Sequence, residues 1–298
     1  MIGAIIGDIA GSTYEFSNCK NAEMDLFPAG SAFTDDTILT LATANALLGD
    51  GDYETAYRDF GRRYPDPMGG YGARFHNWIW TDAAGPYNSY GNGAAMRVSP
   101  VGFACENLES VLAEAKRSAM VTHNHPEGIR GAQAAAVAVF MGRTISSKQE
   151  IREFIFSHFG YDLSRSVAAI RPTYAFDESC QGTVPEAIIA FLDSTDYETA
   201  IRLAISLGGD ADTLACITGA IAQAFYRRIP DKFIAFAHRC LPPPLLQITN
   251  EFTARFAGEE SEFEKLQRQE EELRRSVTIF RASDRLSREE LHDRHAVS

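Results

Sequence analysis

An all-α globule is the fold that this 298-residue chain predicts. Apolar residues recur at helical spacing along most of its length, strand-like alternation is hard to find, and no segment carries hairpin signals at regular intervals. The first helix, over 2–13, places Gly3, Gly7 and Gly11 four residues apart, which leaves a bare stripe on one face. Glycine costs helix propensity, so another element, most simply a helix, is expected to approach that stripe. An unpatterned loop, 15–33, leads to a helix over 36–49, which opens on Asp35 and Asp36 between two threonines. The stretch DYETA starts a helix at 53–64 and recurs at Asp196; because the flanking order differs, the repeat is read as coincidence. Trp78 and Trp80 cannot share one helix face and are read as packing residues. A loop rich in Gly, Asn, Ser and Tyr, 81–93, precedes a helix over 93–103, followed by one over 106–120. Helices over 128–142 and 185–193 have Pro126 and Pro185 where a first turn would begin. Capping boxes from Ser147 to Glu150 and from Thr195 to Glu198 open helices over 148–159 and 196–207. Two further helices are expected over 213–227 and 231–239. After Gly258 the composition turns highly charged, which reads as an exposed helix and tail over 258–298, either a solvated appendage or a docking helix for a partner.

Composition narrows the function. At 45% hydrophobic content the chain can bury a sizeable core. A net charge of -12 opposes a groove that neutralises nucleic-acid phosphates, and opposes an anionic membrane surface as partner. Five cysteines without a CxxC pair read as free thiols of a reducing compartment. The apolar N-terminus lacks a basic flank and is interrupted by Asp8, so neither a signal peptide nor a membrane span is expected. A cytoplasmic monomer is the default.

The opening of the helix at Asp35 carries chemistry. A helix start needs one side-chain acceptor, yet Asp35 and Asp36 supply two adjacent carboxylates that repel each other. The same surplus returns at Asp210, Asp212 and Thr213, again before a helix rich in small residues. Together they offer a hard, all-oxygen ligand set suited to Mg²⁺, Mn²⁺ or Ca²⁺ and unlike a zinc site. Around Gly91, Asn92 and Gly93, glycines permit positive φ and could turn backbone N–H groups into a phosphate nest ahead of a helix N-terminus; an ordinary loop-to-helix turn is the plainer alternative. Of His123 and His125, one is expected to meet a ligand and the other to satisfy a helix end. Glu15 stands where the first helix would end, a place the helix dipole disfavours for a carboxylate.

Five segments in order, GAIIGDIAGSTYEF, FTDDT, SYGNGAAMRVSPVG, VTHNHPEG and GGDADTLACITGAIAQA, resemble the ADP-ribosylglycohydrolase family. The resemblance spans residues 1 to about 240 and marks out a family-like domain over 1–257. It implies a compact single-domain orthogonal bundle of helices with two divalent cations, Mg²⁺ first and Mn²⁺ second. Their ligands would be Thr34, Asp35, Asp36, Asp210, Asp212 and Thr213. Ser89, Tyr90, Gly91 and Asn92 would hold the diphosphate, and His123 would contact the ADP-ribose. Glu15, Asp35 and Asp36 are the candidate catalytic residues. The implied reaction removes ADP-ribose from a serine- or arginine-linked acceptor, on a protein or a small molecule. The alternatives are a metal-dependent phosphoesterase acting on a nucleotide diphosphate and a non-catalytic ADP-ribose-binding module.

Overall fold

The computed structural model describes residues 1–145 and 147–256, and every regular element within them is a helix. The charged stretch 258–298 lies outside the described residues. In chain order the helices are α1 (Ile2–Gly11), α2 (Asp35–Leu48), α3 (Tyr53–Arg63), α4 (Ala73–Ile79) and α5 (Gly93–Met96). Next come α6 (Ser99–Ala104), α7 (Leu108–Met120), α8 (Pro126–Thr144), α9 (Lys148–Phe159) and α10 (Val167–Ile170). The last are α11 (Cys180–Asp193), α12 (Tyr197–Ile205), α13 (Ala211–Tyr226), α14 (Asp231–Cys240) and α15 (Pro243–Phe256).

The glycine stripe explains the centre of the molecule. A Cβ on Gly3, Gly7 or Gly11 would collide with backbone atoms of Gly219, Ala215 and Asp212 respectively. Helix α13 therefore lies backbone to backbone on α1, as the bare stripe required. Gln223 of α13 also accepts from the Met1 ammonium at 2.7 Å and from Gly3 N at 2.8 Å. Those bonds satisfy donors that a helix start leaves without intrahelical partners. Both helices are buried through most of their length, and α8, α11 and α12 pack around α13.

Capping chemistry sets several boundaries. Thr34 caps α2, Ser147 caps α9, and Asp52 and Asp196 cap α3 and α12 through Thr55 N and Thr199 N. The two DYETA copies thus perform the same local task, and the cap at the second is Asp196 rather than Thr195. Pro126 does open α8. Pro185, in contrast, sits inside α11, which starts five residues earlier because Ser179 accepts from Gly182 N at 3.1 Å. The helix expected over 93–103 is two short ones. Pro100 lacks the N–H that would continue the ladder onto Met96 O, and that carbonyl instead accepts from Thr40 Oγ1 and Cys216 Sγ. Trp78 is buried under the Arg58 guanidinium, 3.8 Å above its ring, while Trp80 is exposed. All five cysteines are unpaired, and no described helix is long and apolar enough to cross a membrane.

Candidate active site

Asp8 holds the first acidic cluster in place. It sits in the middle of α1, fully buried, and its carboxylate receives Thr34 N at 3.0 Å, Thr34 Oγ1 at 2.7 Å, Thr37 N at 3.1 Å and the Thr37 hydroxyl. Burial still pushes its carboxyl up to about 6 against those four bonds, which pull it down. The Thr34 hydroxyl donates to Asp8 and accepts from Asp36 N at 3.2 Å. One lone pair remains for another partner.

Around this anchor, carboxylates converge from three distant segments. Oxygens of Glu15, Asp210 and Asp212 lie within 4.8 Å of one another. Asp36 reaches the second segment, accepting from Thr213 Oγ1 at 3.4 Å. Its other oxygen, Oδ2, is buried with no hydrogen-bond partner among the described residues. Asp35 is half-buried and faces the same negative neighbours. Burial, then Asp8 and further carboxylates, hold Asp35 and Asp36 well above the usual carboxylate range. Asp212 is raised likewise by burial, then by Asp210 and Asp36. Glu15 is pushed up to about 7 by burial, then by Asp210 and Asp8. Among the described residues no Lys or Arg forms an ion pair with any of these groups. Such a cluster demands positive charge, supplied by protons or by cations. An all-oxygen donor set with a buried orphan oxygen fits a divalent cation.

Glu15 corrects one premise. Helix α1 ends at Gly11, so Glu15 lies in the turns beyond it and the helix dipole does not explain its placement. A Cβ on Gly69 would stand 2.9 Å from Glu15 Oε2, and the segment carrying that glycine bridges to Thr34 through Met68. The loop at 67–70 therefore backs the glutamate.

The glycine turn also differs from its expectation. Gly91, Asn92 and Gly93 do not take positive φ. Gly91 N donates to Ser89 Oγ at 3.1 Å and Asn92 N donates to Glu178 O at 2.7 Å, so these two N–H groups are already engaged. The glycines answer to crowding instead: a Cβ on Gly93 would lie 3.2 Å from His123 Nε2, and one on Gly91 3.2 Å from Ser89 Oγ, with His123 Nε2 at 3.7 Å beyond it. Asn92 is buried and turns toward the acids, donating from Nδ2 to Asp210 Oδ2 at 2.6 Å and to Thr183 Oγ1 at 3.0 Å. It ties the loop to the carboxylates. Tyr90 is half-exposed, its ring 5.5 Å from that of His125. His125 satisfies a helix end, capping α8 by accepting from Glu127 N at 3.1 Å, and His123 is buried against the turn.

Asp8, Thr37, Gly69 and Thr183 escaped the sequence reading. Asp8 had a signal, because a lone carboxylate inside an apolar helix needs partners. The double glycine at 69–70 was a weaker one.

A family model described as ADP-ribosylglycohydrolase matches residues 1–262. ADP-ribosylhydrolase ARH3 of Mus musculus is 27% identical over 316 residues, covering 78% of this chain and 85% of the mouse protein. ADP-ribosylarginine hydrolase Tri1 of Pseudomonas putida is 26% identical over 263 residues, covering 76% and 69%. Among solved structures, one described as an ADP-ribosylglycohydrolase-related protein complex superposes with a TM-score of 0.66 at 24% identity. That match covers 85% of this chain and 95% of the other and speaks to the fold.

Proposed function

The chain belongs to the ADP-ribosylglycohydrolase family, and from that premise we propose that it frees ADP-ribose from a modified acceptor side chain by hydrolysing the bond at the anomeric carbon of the distal ribose. The convergence of Glu15, Asp35, Asp36, Asp210 and Asp212 without a basic partner among the described residues carries this reading. Thr34, Asp35, Asp36, Asp210, Asp212 and Thr213 are the residues to hold two divalent cations, Mg²⁺ first and Mn²⁺ second. Bound cations supply Lewis-acid polarisation of oxygen and neutralise the acids.

Cleavage at an anomeric carbon passes through an oxocarbenium-like state that needs an oriented water and help for the leaving group. Glu15 suits a proton-handling role: it is half-exposed and backed by Gly69, and without cations burial, then Asp210 and Asp8, push its carboxyl up to about 7. Asp35, which feels the Glu15 charge, and Asp36, set against Thr213, are the residues to orient the water. Ser89, Tyr90 and Gly91 lie together on the loop before α5 to receive the diphosphate, with His123 against them. Asn92 serves from behind, fixing that loop to Asp210. A serine or an arginine linkage suits the reaction, and the name of the Pseudomonas putida relative motivates testing arginine.

The deciding experiment measures release of intact ADP-ribose from serine- and arginine-linked substrates, with Mg²⁺ and then with EDTA. EDTA-sensitive release from either is expected and identifies the linkage. Release of AMP instead would move the protein to a phosphoesterase. Binding of ADP-ribose without any release would make it a binding module.

A further inference from the structure

We infer that Arg97 is a positioning residue: acting through Thr122, it fixes His123 as the imidazole whose proton sits on Nε2 and faces the turn at Gly91–Gly93. Arg97 is fully buried, and among the described residues no carboxylate pairs with it. Its Nε and Nη1 have no hydrogen-bond partner there either. The guanidinium carbon lies 4.0 Å over the Tyr57 ring, and Nη2 donates to Ser118 O at 3.2 Å and to Thr122 Oγ1 at 2.8 Å. A buried cation without an anion is costly, so its retention asks for a function.

The proton count supplies one. A guanidinium only donates, so Thr122 Oγ1 must accept from Arg97 and keeps its single proton for another acceptor. Oγ1 lies 2.7 Å from His123 Nδ1. The Tyr87 phenol, beside Thr122, is a rival acceptor for that proton. Oγ1 keeps a second lone pair that is open to a ring N–H as well, so the guanidinium decides: with Nδ1 bare, Nδ1 receives the Thr122 proton and the ring proton falls to Nε2. A cation on the Nδ1 side favours that arrangement, because a lone pair and not an N–H then faces the positive charge. Burial, aided by the charge on Arg97, holds the ring well below the ordinary histidine value, so it stays neutral.

Nε2 makes no hydrogen bond to a described residue and lies against Gly91 and Gly93. There it is an uncharged donor held ready for an oxygen of the ligand. That the oxygen belongs to ADP-ribose rests on the function proposed above; the state of the ring does not.

The two are separable by experiment. Long-range ¹H–¹⁵N correlation spectra of the full chain at pH 7 are expected to show His123 with an unprotonated Nδ1 and a protonated Nε2. A proton on Nδ1, or an imidazolium, would overturn the assignment. Thr122→Val keeps the side-chain shape and removes the hydroxyl. It is expected to mix the two tautomers and to raise the Kd for ADP-ribose about tenfold, the size of one ordered hydrogen bond, with helical circular dichroism intact. Arg97→Lys keeps the charge but loses the fork and should shift the spectrum the same way. Unchanged tautomer and Kd in Thr122→Val would also overturn the assignment. A wild-type chain with the stated tautomer that fails to bind ADP-ribose would support the Arg97 assignment and sink the functional reading.

Discussion

Asp8 touches no proposed substrate, yet it fixes the backbone from which Asp35 and Asp36 project. Its four hydrogen bonds come from two backbone N–H groups and two hydroxyls, all on Thr34 and Thr37. An asparagine offers one acceptor oxygen where the carboxylate offers two. Asp8→Asn is expected to cost about 2 kcal/mol or more in urea denaturation. Mn²⁺ affinity measured by titration calorimetry should fall about tenfold or more, as when a partner that orients a ligand is lost. A variant with unchanged Mn²⁺ affinity would remove the anchoring role. Asp36→Ala and Asp212→Ala act directly: either is expected to abolish turnover while the helical circular dichroism persists. At this scale the site was legible in part. The paired acids at 35–36 and 210–212 announced themselves because adjacent like charges exceed what a cap needs. Asp8 signalled only a need for partners: these lie 26 and 29 residues away, and one acid in an apolar run has no spacing to say which they are.

Among the elements, the pairing of α1 with α13 is the one to perturb. Gly7→Ala would thrust a methyl into Ala215 O and Cys216 N, both backbone atoms that cannot rotate aside. The expected loss is about 3 kcal/mol in chemical denaturation, at the upper end for overpacking, together with activity, since Asp8 and Asp212 ride on the two helices. Gly160→Ala is the contrast. That glycine ends α9 at φ 70° with open space around it. Only the left-handed backbone opposes a side chain there, at about 1 kcal/mol, and turnover should be unaffected. Equal losses at the two positions would mean that α1 and α13 can part without harm. The long helices were legible because their apolar period runs for three turns or more, and the glycine stripe called for its partner in advance. The short helices α4 and α10 were not, having too few turns to show a period. Helix α15 was also missed; it begins among three consecutive prolines, Pro242–Pro244. Pro185 misled because surrounding burial tolerates the one bond it forfeits inside α11.

For the whole molecule, the acids make stability depend on pH and metal together. Asp35, Asp36 and Asp212 stand well above the ordinary carboxylate range, and Glu15 is raised to about 7. Above pH 6.5 the unfolded chain has released these protons while the folded chain still holds some, so raising the pH favours unfolding. His123, kept neutral by burial, opposes this only below its ordinary value of 6.5. The Met1 amino group, held by burial well below its ordinary 8.0, and Lys148, lowered by burial to about 8, oppose it above that pH, but the three raised aspartates with Glu15 outnumber them. In EDTA the melting temperature is therefore expected to fall between pH 6.5 and 8.5, and saturating Mn²⁺ should abolish that fall. A metal-free protein that grows more stable over this interval would contradict the raised carboxyls. The fold class was legible from periodicity, whereas the meeting of residues 8, 36 and 212 is a property of the closed chain alone. That closure has a consequence during synthesis. Translation delivers α1 (Ile2–Gly11) long before α13 (Ala211–Tyr226), so the first of this pair must wait for the second. Until then its glycine face has no partner and the carboxylates at 35 and 36 have none of their distant neighbours. A ribosome stalled before residue 211 would carry a chain whose carboxylates at 35 and 36 stand alone, and the acidic cluster can assemble only once α13 has emerged.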